Sequence, residues 1–237
     1  MTAPTIKLPA QGRRVTFIGK GGSTKTHSLM HILGHWRRME LPVGAIDSDE
    51  PGEDEDGSLY TWHQMGTRTT PEGKTVHVVP GMNVRPQYSA LRLAGEIANS
   101  TPPGGILGID TGSWNNRPGG IHHSALAMSD LAVLCLQPHE GELNRSASVW
   151  AALNYLEQTG ARRPELVVLF TRTHHNAKST ADVRGTMTRA GITVLENTVP
   201  NQMGEDGYSR AFGKPLHLED GDPMHLIAVE IAERIAA

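Results

Sequence analysis

The chain contains one cysteine, Cys135, so no disulfide can form within it, and a reducing compartment is expected. Cys135 lies in the run Leu131-Ala132-Val133-Leu134-Cys135-Leu136, which reads as a small buried hydrophobe and not as a reactive thiol. No apolar run approaches the roughly 18 residues needed to span a bilayer. Residues 1–11 carry prolines and lack the apolar core of a secretory leader. A cytoplasmic protein without stable membrane insertion is therefore expected. Charge of one sign is also missing: 22 Lys and Arg against 25 Asp and Glu give a net charge of -3, so any polyanion contact must be a local patch. Aromatics make up 5%, and no stripe of interleaved aromatic and basic residues suggests stacking on single-stranded nucleic acid; the four tryptophans read as core or interface.

What is present is an alternation. Short β-branched apolar runs recur at residues 15–18, 43–46, 76–79, 106–109, 131–136, 166–170 and 192–195, as buried parallel strands require. Between them lie helical spacings, such as Leu29, Ile32, Leu33 and Trp36 within 25–39, and Val149, Ala152, Leu153 and Leu156 within 142–158. Strands alternating with helices predict a doubly wound, mostly parallel sheet with helices on both faces. The 237 residues suit a single domain over 1–237.

Between the first strand and the first helix stands Gly19-Lys20-Gly21-Gly22-Ser23-Thr24-Lys25-Thr26. Backbone N–H groups of such a turn converge on one concavity, and the helix that follows adds its positive end, so the segment suits a phosphate. Gly21 and Gly22 allow close backbone approach, Lys25 can neutralise the outer phosphates, and the Thr26 hydroxyl can ligate Mg²⁺. Thr24 stands where the strict phosphate-loop pattern has its last glycine. His27 follows Thr26 and can reach toward the inner phosphate. The strand at 106–109 ends in Asp110-Thr111-Gly112, placing a carboxylate where a Walker B residue holds magnesium. The strand at 43–46 ends in Asp47-Ser48-Asp49 and leads into the acidic run 53–56, read as a solvated loop.

The pattern K-G-G-x-x-K-[ST], with Lys20 ahead of the glycines, resembles the ParA/MinD family of deviant Walker A ATPases, and the short plasmid partition members most of all. The likeness extends over Leu131 to Pro138, 166–172, 192–200 and 208–215. It implies that Lys20 reaches across a dimer interface to the partner's nucleotide and that Asp49 positions the attacking water. Arg172 and Pro200 are implied on the adenine side, and Ser23 and Thr24 belong to the loop that holds the phosphates. Where the family usually continues with Pro-Gln, this chain has Glu50-Pro51-Gly52. ATP and Mg²⁺ are the implied ligands, and the implied activity is ATP hydrolysis that separates an ATP-bound homodimer. The implied role is plasmid or chromosome partition, with a centromere-binding or other stimulating adaptor and possible non-specific DNA contact. The first strand near Val15 leaves no room for the helix-turn-helix region of larger partition ATPases, so the short class is expected. Arg162, Arg163, Lys178, Arg184, Arg189 and Arg210 are the candidate DNA contacts, with solvated helix surface as the alternative reading of the same residues.

Three rivals share the phosphate loop. A MinD-like membrane-cycling ATPase needs a terminal amphipathic helix with a basic polar face, whereas 224–237 has Glu230 and Glu233 against Arg234 and reads as a core-packing helix. A conjugation accessory ATPase would carry other cargo, and a small-molecule kinase would not depend on Lys20. An iron–sulfur redox partner is excluded, because one cysteine cannot supply two thiolates per subunit. The pairs His122-His123 and His174-His175 lack metal-ligand spacing and are expected as surface or loop residues.

Overall fold

A computed structural model describes residues 6–51, 58–174, 177–201 and 211–237, with backbone alone at 140 and 143–145. Seven strands form one sheet: β1 (Arg13–Ile18), β2 (Val43–Ser48), β5 (Val84–Pro86), β6 (Ile106–Thr111), β7 (Leu131–Leu136), β8 (Glu165–Phe170) and β9 (Thr193–Val194). Their order is β5-β2-β6-β1-β7-β8-β9, and every pairing is parallel. Two further short strands, β3 (Arg68–Thr69) and β4 (Thr75–Val76), form a separate antiparallel ribbon.

The alternation of strand side chains sorts the core into two faces. Val15 and Phe17 of β1, Val133 and Cys135 of β7, and Val167 and Leu169 of β8 pack on one side. That side is covered by α1 (Lys25–Arg38), α2 (Ser58–Gly66) and α7 (Pro223–Ala236). Ile18, Leu134 and Phe170 face the other side, under α5 (Glu140–Gln158) and α6 (Lys178–Arg189), while Ile46 and Ile109 face α3 (Ala90–Ser100) and α4 (Ile121–Met128). Every residue of β6 and β7 is buried, as double coverage demands. Cys135 is enclosed as expected, and burial pushes its thiol up to about 12.

The helix α1 buries Leu29, Ile32, Leu33 and Trp36, the stripe read from the sequence. Trp36 donates its indole N–H to the Ala228 carbonyl at 2.8 Å, fixing α1 to α7. Pro223 opens α7, and Asp222 caps it by accepting from the His225 amide at 2.7 Å. The apolar side of α7 (Met224, Ile227, Ile231 and Ile235) is buried against α1 and the sheet, which agrees with a core-packing helix.

Three expectations are corrected. Residues 76–79 do not join the main sheet: Val76 ends the ribbon, Val78 and Val79 fill core space without pairing, and β5 forms the sheet edge. The last run contributes only Thr193–Val194 as strand. His122 and His123 are not surface residues; they are buried within α4, where desolvation lowers the basicity of both. His122 Nε2 lies 3.4 Å from the Gly112 carbonyl, and His123 Nε2 lies 3.0 Å from Asn116 Oδ1. His174 is exposed, and His175 lies outside the described residues.

Candidate functional site

In a doubly wound sheet the crevice opens at the carboxyl ends of the strands, where the order reverses. Here the chain runs from β1 to β2 on one side and returns to β7 on the other, so the turn after β1 occupies that crevice. The register sets Asp47 beside Asp110, and Phe17 beside Asp110, at the ends of β2, β6 and β1. Two hydrogen bonds fasten these ends together: Ser48 Oγ donates to the Asp110 carbonyl at 2.7 Å, and Thr111 Oγ1 to the Phe17 carbonyl at 2.8 Å.

The turn itself is tied to neighbouring strands. The Trp114 amide donates to the Gly19 carbonyl at 2.9 Å, and Thr171 Oγ1 donates to the Ser23 carbonyl at 3.2 Å. A side chain at Gly21 would meet Ser113 Oγ at 2.8 Å, so the tight approach of these two loops depends on glycine there. Thr24, directly before α1, has φ 63 and ψ 21, the left-handed conformation that the missing glycine would adopt without strain. The departure from the strict motif thus places a β-branched residue in a strained backbone conformation.

A cavity of about 350 Å³ lies over this turn. It is lined by Gly21, Gly22, Thr24, Lys25 and Thr26 of the turn and helix start, by Asp49, Ser58 and Ser113, and by the larger side chains of His27, Arg172 and Phe212. Thr26 Oγ1 donates to Asp110 Oδ2 at 2.6 Å and lies 3.0 Å from Ser58 Oγ, which donates to Asp49 Oδ2 at 3.2 Å. Four oxygen-bearing side chains from four separate segments are thereby strung together. Gly112 permits this, since a Cβ there would fall 2.2 Å from Asp49 Oδ1.

The electrostatics are dominated by two carboxylates buried side by side. Burial pushes the Asp110 carboxyl up to about 8, the neighbouring Asp47 adds to the rise, and the Lys25 charge and the Thr26 hydroxyl oppose it. Oδ1 of Asp110 is buried and has no hydrogen-bond partner among the described residues. Burial likewise raises Asp47 to about 6, against the amides it accepts from: Tyr60 at 2.7 Å and Asp49 at 3.0 Å. Asp47 therefore anchors the loop that carries Asp49 and the first turn of α2, a structural task invisible in the sequence. A divalent cation at Thr26 and Asp110 would find hard oxygen donors and would offset the cost of burying the carboxylate.

The two lysines of the motif part company. Lys25 is buried, lines the cavity and donates to the Lys20 carbonyl at 3.1 Å. Lys20 points to the opposite side, where it is ion-paired with Glu142. The adenine-side candidates are brought near each other, because Pro200 bridges Thr173, the neighbour of Arg172. Arg172 lines the cavity, while Pro200 does not. Arg172 adopts a left-handed φ of 53. The His27 ring packs at 5.2 Å from Trp62 and 6.2 Å from Phe212 and also lines the cavity. Ser58 and Phe212 went unmarked in the sequence: nothing in the spacing of an isolated serine or phenylalanine signals a site.

Most of the candidate DNA contacts are engaged locally. Arg162 pairs with Asp130 at 2.8 Å, Arg163 with Glu157 at 2.8 Å, and Arg184 donates to the Leu195 carbonyl at 2.6 Å. Arg189 donates to Thr186 Oγ1 at 3.2 Å, while Arg210 and the acidic run 53–56 lie outside the described residues.

No protein-family model matches the chain, and no curated protein sequence does. Solved structures do. The ATP complex of a McdA variant from Cyanothece superposes with a TM-score of 0.63 at 13% identity, covering 95% of this chain and 96% of that one. A ParA family ATPase from Chlorobium tepidum gives 0.64 at 13% identity, covering 94% and 98%. The cell division ATPase MinD from Pyrococcus furiosus gives the same values. The structural neighbours are thus ParA/MinD-family ATPases, and the seven-stranded parallel sheet flanked by helices is the P-loop fold they share.

Proposed function

We propose that this chain is a Mg²⁺-dependent ATPase whose ATP-bound form pairs with a second copy, and that this switch serves the partition of DNA. The observation that carries the reading is the division of labour in the phosphate turn. Lys25, Thr26 and Asp49 line one cavity, with Asp110 buried behind Thr26 and accepting its hydroxyl at 2.6 Å, while Lys20, a few residues away, is turned out of it. A lysine outside its own nucleotide cavity is available to a neighbouring one.

In this reading the glycine-rich turn and Lys25 hold the phosphates, and Thr26 with Asp110 would hold Mg²⁺, which when bound neutralises charge on the outer phosphate oxygens. Asp49, steadied by Ser58, orients a water at the outer phosphate; positioning suffices, because phosphoryl transfer asks little covalent chemistry of the protein. Arg172 and Phe212 line the same cavity and are the candidates to meet the base. Cargo attachment through an adaptor protein fits better than a bare DNA-binding face, because the local partners of Arg162, Arg163 and Arg184 blunt the positive charge offered to phosphate. Membrane cycling through α7 is disfavoured, since its apolar side is already covered.

Light scattering after gel filtration tests the switch: the mass should double with ATP and Mg²⁺ and remain that of one chain with ADP. A chain that binds ATP and stays single would overturn the dimer reading. Direct DNA binding is tested by a gel shift, which should require ATP and weaken steeply with salt.

One observation favours a second reading, the small-molecule kinase. A larger cavity, about 630 Å³, adjoins the first across Asp49 and Ser113 and is edged by Tyr88, Asn115, Arg117 and His122. An acceptor there would face the same carboxylate. Release of the outer phosphate as inorganic phosphate by the purified chain supports hydrolysis; turnover only on adding cell metabolites supports the kinase.

A further inference from the structure

Lys20 is 39% exposed, yet its ammonium group is paired with a carboxylate that is only 4% exposed. Glu142 stands in the first turns of α5, behind the strand β7 that borders the phosphate turn. The pair closes a small cavity of about 210 Å³ walled by Trp114, Cys135, Leu136 and Ser146, on the far side of the turn from the cavity that Lys25 enters. His139 Nε2 approaches the same Glu142 oxygen at 3.9 Å. The Lys20 backbone is held as well, since its carbonyl accepts from Lys25 and from the Ser23 amide. A flexible side chain on a fixed backbone is therefore restrained at its tip by one buried acid.

We infer that Glu142 is a positioning residue that holds Lys20 in the lone chain and must release it before Lys20 can serve a second copy's nucleotide. The inference rests on the switch reading above and adds its restraint. A lone chain without such a partner for Lys20 would present a free lysine at all times. With Glu142, the fraction of chains offering Lys20 is small, and the apparent affinity between copies falls by that fraction. The phosphates of a bound nucleotide carry more negative charge than one carboxylate, so the exchange is favourable once a nucleotide is in place across the interface, and more so for ATP with its additional phosphate than for ADP. Nothing in the sequence marks Glu142: it lies 122 residues from Lys20, in a stretch with other acids.

The test uses the full chain and Glu142→Gln, which keeps shape and removes charge, with Glu142→Ala as a second variant. Acylation of lysines by a succinimidyl ester, read by peptide mass spectrometry, reports the pairing in the nucleotide-free wild type. Lys20 should react about fivefold more slowly than Lys74 and reach the Lys74 rate in Glu142→Gln, as a released amine would. With ATP and Mg²⁺, the concentration at half-dimerisation should fall about fivefold in the variant, while ADP affinity of the single chain stays within about twofold. A lysine equally reactive in both chains, or a variant that dimerises no better than wild type, overturns the inference while leaving the switch intact. A wild type that never dimerises with ATP sinks the switch reading and the restraint with it, even where the labelling difference holds.

Discussion

The two sets of residues that line the cavity over the glycine-rich turn are built on different principles. The first set is made by backbone and short side chains at the termini of β1, β2 and β6, strands that are buried on both faces and cross-tied by Ser48 and Thr111. The other set consists of long or aromatic side chains, Arg172, His27 and Phe212, from a loop, a helix start and the segment before α7. Triphosphate geometry is fixed, so a cavity for it must be rigid, whereas a base needs only a flat surface and a hydrogen bond or two. The first set should therefore respond to substitution by loss of function, and the second by graded loss.

The largest expected effect is at Lys25. Lys25→Ala removes the charge-assisted contacts to the outer phosphates, each worth about 1.5–3 kcal/mol, so ATP affinity should drop by at least about 100-fold. Titration of a fluorescent ATP analogue measures this; an affinity within tenfold of wild type would mean that the turn does not hold the phosphates. Next comes Asp49→Ala. ATP should still bind and the dimer persist, while the hydrolysis rate falls on the order of 100-fold because the water loses its orientation. Normal phosphate release from this variant would take Asp49 out of the reaction.

Both residues are candidates from the sequence for the same reason that their substitution is expected to be severe. A phosphate site requires glycines, a lysine and a hydroxyl at fixed offsets between a strand and a helix, so the site is written locally. The strands that carry it were legible too, because burial on both faces leaves short, mostly apolar runs within β1 and β6 and an unbroken one at β7. The run at 76–79 misled because Val78 and Val79 are buried by packing and not by pairing, and periodicity does not separate the two. The true edge strand, Val84–Pro86, is three residues long and ends in proline, so it leaves almost no pattern. Among helices, α3 and α6 bury only two residues each, Leu93 with Ile97 and Val183 with Met187, which is too faint a stripe to stand out. Ser58, Phe212 and Glu142 reach the site through tertiary packing alone. The buried histidines of α4 show the same limit, since their partners, the Gly112 carbonyl and Asn116, come from a loop.

In the second set, Phe212→Ala should weaken ATP binding only about 2- to 10-fold, the range for losing one aromatic contact worth about 0.5–1.5 kcal/mol. Inorganic tripolyphosphate, which has no base, should bind the variant and the wild type alike. That pairing of ligands sharpens the contrast between the two sets: equal losses for both would place Phe212 with the phosphates, or show that its contacts with His27 and Trp62 shape the turn.

The smallest effect is expected at Thr24, and its sign is opposite. The left-handed backbone at φ 63 costs a threonine roughly 1–2 kcal/mol relative to glycine. Glycine gives back about 0.4–1 kcal/mol through the greater freedom of its unfolded chain. Thr24→Gly should therefore stabilise the nucleotide-free protein by up to about 1.6 kcal/mol, raising its melting temperature by up to about 6 °C at this chain length. The same substitution restores the strict phosphate-loop pattern, so ATP binding should survive it. A melting temperature that falls would mean that the threonine side chain makes contacts outweighing its strain. A temperature that rises while ATP affinity collapses would assign the Thr24 hydroxyl, buried and without a partner among the described residues, to the nucleotide itself.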